Sequence, residues 1–113
     1  RWQEIVDFGI SSFSVDNIEN MTDLKNLFGS RIGIIGNVDP VDLLRNGTPD
    51  DMRREVIRCL REAADNPCGF VLSLGCTTPV GTPAENLIAL MNAATTYGGG
   101  AKKGAFPKGL EQA

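Results

Sequence analysis

The chain has 113 residues, enough for one small domain and a modest core, and is 42% hydrophobic and 22% charged. Its net charge is −3 and its basic residues are scattered, which argues against a nucleic-acid surface or an anionic-membrane anchor, and no apolar run is long enough to cross a bilayer. Three cysteines without a CxxC pair argue against a disulfide framework or a self-contained zinc ribbon. The absence of histidine excludes Ser-His-Asp and Cys-His catalysis within the chain. A reducing cytoplasm is the expected compartment.

Residues 2–8, WQEIVDF, carry apolar side chains at helical spacing and stop at Gly9, as at a helix end. A short β-prone run, 10–15, closes on Asp16-Asn17. Residues 22–28 predict a short helix capped by Thr22 and ended by Gly29, and 31–38 a strand punctuated by Gly36-Asn37 and Asp39-Pro40. The clearest helix is 48–65. Thr48 suits the N-cap, Pro49 the first turn and Asp50 and Asp51 the positive end of the dipole, while Met52, Val56, Cys59, Leu60 and Ala63 form one apolar stripe. The run 70–75, FVLSLG, predicts a strand. A last helix over 83–97 opens on a predicted capping box of Thr82 and Glu85 and ends at Gly98-Gly99-Gly100. Residues 101–113 are glycine-rich and mixed in polarity, so no structure is expected there.

Lined up, the elements repeat. A strand, a glycine, a polar residue, a loop with Gly-Thr-Pro and a helix with an acidic first turn occur twice, in IGIIGNVDPVDLLRNGTPDD and in FVLSLGCTTPVGTPAE. The order β-α-β-α-β-α implies parallel strands joined by right-handed crossovers. Three parallel strands leave open edges, and the chain starts at Arg1 without a methionine. The expectation is therefore an α/β chain holding the C-terminal units, about three strands, of a TIM (β/α)8 barrel. Residues 1–98 would form the barrel part and 99–113 a flexible tail, with self-association through open sheet edges. An open doubly wound sheet is the runner-up, although no GxGxxG fingerprint follows a strand.

In a barrel, the loops after the strands' carboxyl ends form the active face. That rule selects Asp16 and Asn17, then Asn37 and Asp39, then Cys76, Thr77 and Thr78. Asp39 before Pro40 also suits a plain turn former. Cys59 lies on the apolar stripe and reads as a buried small hydrophobe, and Cys68 sits in a turn without an evident partner. Cys76, where a strand ends, would suit one ligand of a catalytic zinc, which needs three protein ligands and an open position.

The segments 36-GNVDPVDLL-44, 48-TPDDMRREV-56 and 70-FVLSLGCTTPVGTPAENLIALMNAATTYG-98 resemble the C-terminal part of the uroporphyrinogen decarboxylase superfamily. Within it, the chain is similar to the corrinoid-linked branch of methylcobalamin:coenzyme M type methyltransferases. The resemblance implies a TIM barrel. It also implies that Cys76 stands where decarboxylases have a histidine and the methyltransferase branch has a zinc-binding cysteine. The remaining ligands, a His-x-Cys motif, would lie upstream of Arg1. The intact enzyme is then expected to move a methyl group between a corrinoid, carried by a partner protein, and a small thiol. Cys76 would bind zinc, Asp16 and Asn37 would line the pocket, and the isolated piece would be inactive. The alternative is a decarboxylase-like enzyme acting on a tetrapyrrole.

Overall fold

The computed structural model describes residues 12–16, 20–74 and 80–113. The 2–8 helix and residues Asn17 and Cys76 to Thr78 lie outside them. In chain order the elements are β1 (Ser12–Ser14), α1 (Met21–Phe28), β2 (Gly33–Val38), a π-helical turn (Pro40–Arg45), α2 (Pro49–Ala63), β3 (Phe70–Leu74), α3 (Ala84–Tyr97) and a 3-10 turn (Lys108–Gln112). The three strands form one parallel sheet in the order β1-β2-β3. Ser14, Ile35 and Val71 share one cross-strand row, and Ile34 and Phe70 share the adjacent one.

The period-2 alternation of a strand sends these rows to opposite faces. Ile34, Phe70 and Leu72 face the helices. They join Val15, Met21, Leu24, Phe28, Ile32, Val38, Cys59 and Ala63 in one cluster, and Phe70, Leu72 and Leu90 continue it to Val56, Leu60 and Ala93. On the other face Ser12, Ser14 and Ser73 are exposed and Val71 is 56% exposed. All three helices thus cover one side of the sheet. Sequential order with helices on one side is the pattern of successive crossovers of one hand.

The second helix forms as expected. Thr48 caps it and Pro49 opens it, and all five residues of its stripe are buried. A reciprocal capping box adds to this: Asp51 N–H donates to Thr48 Oγ1 at 3.2 Å, and Thr48 N–H donates to Asp51 Oδ2 at 2.8 Å. These bonds and the Arg54 guanidinium hold the Asp51 carboxyl below its ordinary pKa, the backbone bond from Thr48 being the largest cause.

Four expectations are corrected. Asn20, not Thr22, caps α1, its Oδ1 accepting from Thr22 and Asp23 N–H at 2.9 and 3.3 Å. The Thr22 hydroxyl instead donates to the Glu62 carbonyl at 3.3 Å. α3 starts after Pro83 with no side-chain cap bond, so Thr82 and Glu85 do not form a capping box. Residues 101–113, for which no structure was expected, contain the 3-10 turn, with Pro107 and Gly109 buried and Leu110 packed against the α2–α3 cluster. Leu110 is the apolar side chain that mixed composition concealed. Arg31, placed in a strand by its neighbours' β propensity, sits in the turn before β2.

Two glycines are needed where backbone and side chain crowd. A Cβ at Gly29 would lie 2.3 Å from Asn66 Oδ1, and one at Gly36 would lie 2.8 Å from the Val15 carbonyl oxygen.

Candidate functional site

The carboxyl ends of β1 and β2 bring Asp16, Asn37 and Asp39 to one rim of the sheet. Asn37 and Asp16 meet directly: the Asn37 Nδ2 donates to the Asp16 carbonyl at 3.0 Å. The Asp16 side chain is exposed, whereas Asn37 has no exposed surface. By register Asn37 pairs with exposed Ser73, yet its amide turns to α2, where Oδ1 accepts from Arg58 Nη2 at 3.2 Å. The Cys59 thiol is a second, weaker donor to that oxygen at 3.8 Å.

Asp39 combines two roles of a turn former. Its Oδ1 accepts from Asp42 N–H at 2.9 Å, and its carbonyl accepts from Leu44 N–H at 3.1 Å. These bonds start the π-helical turn, and the bland reading of Asp39 is therefore realised. Its own N–H donates to Glu55 Oε2 at 2.9 Å.

Glu55, Arg58 and Glu62 were not singled out from the sequence. Glu55 is 4% exposed and pairs with Arg58, which also bonds Glu62 Oε2 at 2.7 Å. Hydrogen bonding to Glu55 raises the Arg58 pKa above its ordinary value, against the opposing effect of burial. The signal was available: position 55 falls on the buried stripe of α2 between Met52 and Cys59, and a charge there calls for a partner one turn on. Cys59 is fully buried, and burial pushes its thiol up to about 11, so it is a neutral packing group as expected. Cys68 is a free thiol in the turn before β3, partly exposed, with its N–H bonded to the Gly29 carbonyl at 3.1 Å.

Two buried asparagines complete the frame. Asn66 Nδ2 donates to the carbonyls of Ile32 and Gly69, both at 2.9 Å. Asn86, in the first turn of α3, donates from Nδ2 to the carbonyls of Leu44 and Gly47, again at 2.9 Å. It thereby ties the loop after β2 to the helix that follows β3.

Among the described residues no three His, Cys, Asp or Glu side chains come together as metal ligands. From this chain a zinc would rest on Cys76, which lies outside the described residues. A cavity of about 550 Å³ opens at the opposite, amino end of the strands, lined by Gly33, Leu60, Gly69, Phe70, Lys102 and Lys103. Most of its lining side chains are apolar. No helix among the described residues is long and apolar enough to cross a membrane.

A one-sided parallel α/β sheet with polar residues at its carboxyl rim defines the class of protein. The uroporphyrinogen decarboxylase (URO-D) family profile matches residues 1–97, and the chain belongs to that family. It is 31% identical over 85 residues to the methylated-thiol–coenzyme M methyltransferase of Methanosarcina mazei, covering 75% of this chain and 22% of that protein. It is 33% identical over 79 residues to the uroporphyrinogen decarboxylase of Picosynechococcus sp., covering 70% of this chain and 21% of that protein. A solved methyltransferase structure from Methanosarcina mazei superposes with a TM-score of 0.70 at 28% identity, over 85% of this chain and 27% of the other. The chain thus spans about a fifth of the length of these curated relatives.

Proposed function

We propose that the chain is the C-terminal portion of a TIM-barrel methyltransferase that moves a methyl group between a corrinoid, carried by a partner protein, and a small thiol. The observation that carries this reading is Gly75-Cys76, which follows β3 in the chain, a thiol that the resemblance sets against a histidine of the decarboxylases and a zinc-binding cysteine of the methyltransferases. The likeness to methyltransferases in sequence and in fold supports it.

In this reading Cys76 is one ligand to zinc and the other ligands come from outside this chain. The metal would supply a lowered pKa to the substrate thiol, so that it is deprotonated at neutral pH. This chain's own residues bind and orient. The exposed Asp16, just past β1, would orient the substrate at the carboxyl ends of the strands. Asn37 acts on it through the Asp16 carbonyl. A corrinoid bound by the partner protein would supply or accept the methyl group, and its cobalt would keep the bonding electron pair when the thiolate takes the methyl group. The 113-residue piece alone is proposed to be inactive, because the rest of the coordination shell and of the barrel is not in it.

The test is metal analysis of the full-length protein and its Cys76→Ala variant, alongside methyl transfer from a methylated corrinoid to a thiol. The expected result is zinc in the wild type and a loss of most of it in the variant. Equal zinc in both sinks the metal assignment. The likeness to uroporphyrinogen decarboxylases favours a second reading, a tetrapyrrole carboxy-lyase, and release of carbon dioxide from uroporphyrinogen by the wild type would select it.

A further inference from the structure

Arg58 is bound far more tightly than a surface arginine needs to be. Its Nη2 donates to the Asn37 carbonyl at 3.3 Å, to Asn37 Oδ1 at 3.2 Å and to Glu55 Oε2 at 3.0 Å. Nη1 reaches Glu62 at 2.7 Å and Nε pairs with Glu55 Oε1. Glu55 in turn accepts the Asp39 N–H, Glu62 accepts the Met21 N–H at 3.2 Å, and Asn37 donates to the Asp16 carbonyl. One continuous network therefore links the middle of α2 to Asp16 just past β1, to the exit of β2 and to the start of α1.

Packing alone does not require this. An apolar residue at 55 would extend the stripe of Met52, Val56 and Cys59, and replacing a buried ion pair by apolar groups is often neutral or stabilising. What an apolar pair cannot do is point at particular backbone groups. A guanidinium fork and a two-oxygen acceptor fix direction as well as distance. The groups they hold, the Asn37 carbonyl and the Asp39 amide, flank Val38 at the exit of β2.

We infer that Glu55 and Arg58 are positioning residues that set, through Asn37 and the Asp39 amide, the course of the chain carrying Asp16 and Asp39 at the substrate end of the strands. The inference rests on the proposed function only in placing the site at these strand ends, and applies to methyl transfer and decarboxylation alike. It assigns Asn37 to the frame of the site, acting through Asp16.

The test uses the full-length protein. Arg58→Lys keeps a positive charge beside Glu55 but removes the fork that spans Asn37, Glu55 and Glu62. Arg54→Lys, on the exposed side of the same helix and paired with Asp50 and Asp51, is the control. In Arg58→Lys, kcat should fall roughly tenfold to a hundredfold while KM changes little, as for reacting groups displaced by a fraction of an ångström. Amide exchange at Asp39, Val41 and Asp42 should rise about tenfold without a matching rise in the α2 core, because only the strand exit is released. The control should match the wild type in both. If Arg58→Lys does not fold, the triple variant Glu55→Gln, Arg58→Gln and Glu62→Gln, which leaves no charge in the network, is read the same way.

Wild-type exchange and wild-type kcat in the variant overturn the inference. So does faster exchange with unchanged kcat, since the course of that segment would then not matter to turnover. If the wild type runs neither reaction, the functional reading fails and the exchange result alone decides the positioning claim.

Discussion

Asn86 offers the sharpest test of the frame, because its two donated bonds tie the loop after β2 to the first turn of α3. In Asn86→Ala the Leu44 carbonyl, fully buried, loses its donor and incurs an unsatisfied-group cost of about 1–3 kcal/mol. The Gly47 carbonyl is only partly buried and recovers water, so its loss is about 1 kcal/mol. Against this, Asn86 Oδ1 is buried without a partner among the described residues, and its removal returns about 1 kcal/mol. Alanine also improves helix propensity by about 0.5 kcal/mol. The net expectation is a destabilisation of about 1.5 kcal/mol, read by urea unfolding with linear extrapolation.

Asn86→Asp sharpens the argument through pH. Its ionised carboxylate has no donor and would face two carbonyl oxygens in a buried site, so its folded-state pKa must rise above the unfolded value of about 4. A raised folded pKa means stability that is complete below the unfolded pKa and lost as pH rises through the folded one. At neutral pH Asn86→Asp should therefore be less stable than Asn86→Ala, and at about pH 4 it should recover, because the protonated acid can donate to one carbonyl. The reasoning is refuted if Asn86→Ala lies within about 0.5 kcal/mol of the wild type. It is equally refuted if Asn86→Asp gains stability relative to the wild type between acid and neutral pH.

Two further tests probe local features. Cys59, with its pKa raised by burial from 9.0 to about 11, should make the fold lose stability as pH rises through that window. The loss is at most about 3 kcal/mol at 1.36 kcal/mol per pH unit, and the extra slope should vanish in Cys59→Ala. Peptide mapping after iodoacetamide at neutral pH should find Cys59 unmodified in the native state and Cys68 modified. Thr48→Ala removes half of the α2 capping box and should cost about 1 kcal/mol by the same unfolding assay. In the wild type the Asp51 share of that cap, whose folded pKa is lowered, should be lost only as pH falls through the folded value, below 3.8. A cap contribution that persists in strong acid contradicts the assignment.

Local signals were legible wherever one physical cause dominated. The α2 boundaries follow from Thr48, Pro49 and a five-residue stripe at 3.6-residue spacing, and all five of those side chains are buried. The β2 and β3 runs were apolar enough to read as strands, and their parallel pairing followed from the alternation with helices. Signals failed where two causes competed. Thr22 and Asn20 can each cap a helix, and only the nearby Glu62 carbonyl decides that the threonine hydroxyl goes elsewhere. Thr82 and Glu85 have the spacing of a capping box, but Pro83 takes the cap position. The rim was legible as a set of residue types after strand ends. The charge of Glu55 on the stripe was legible, but what its frame holds was not, because Glu55, Arg58, Asn66 and Asn86 bond groups 16 to 42 residues away.

The amino-acid sequence by itself determined that strands and helices alternate, which residues of α2 face the core, and that Asp16, Asn37 and Asp39 end apolar runs. These are consequences of periodicity and local backbone preference, which act within a few residues. Only the tertiary structure decided that Asn37 turns its amide into a buried network instead of into open space, that the tail folds back to pack Leu110, and that Asn86 joins two loops. Hydrogen-bond partners across the fold depend on directions and distances that no short-range pattern encodes. A buried polar group must find them wherever the packed elements put them.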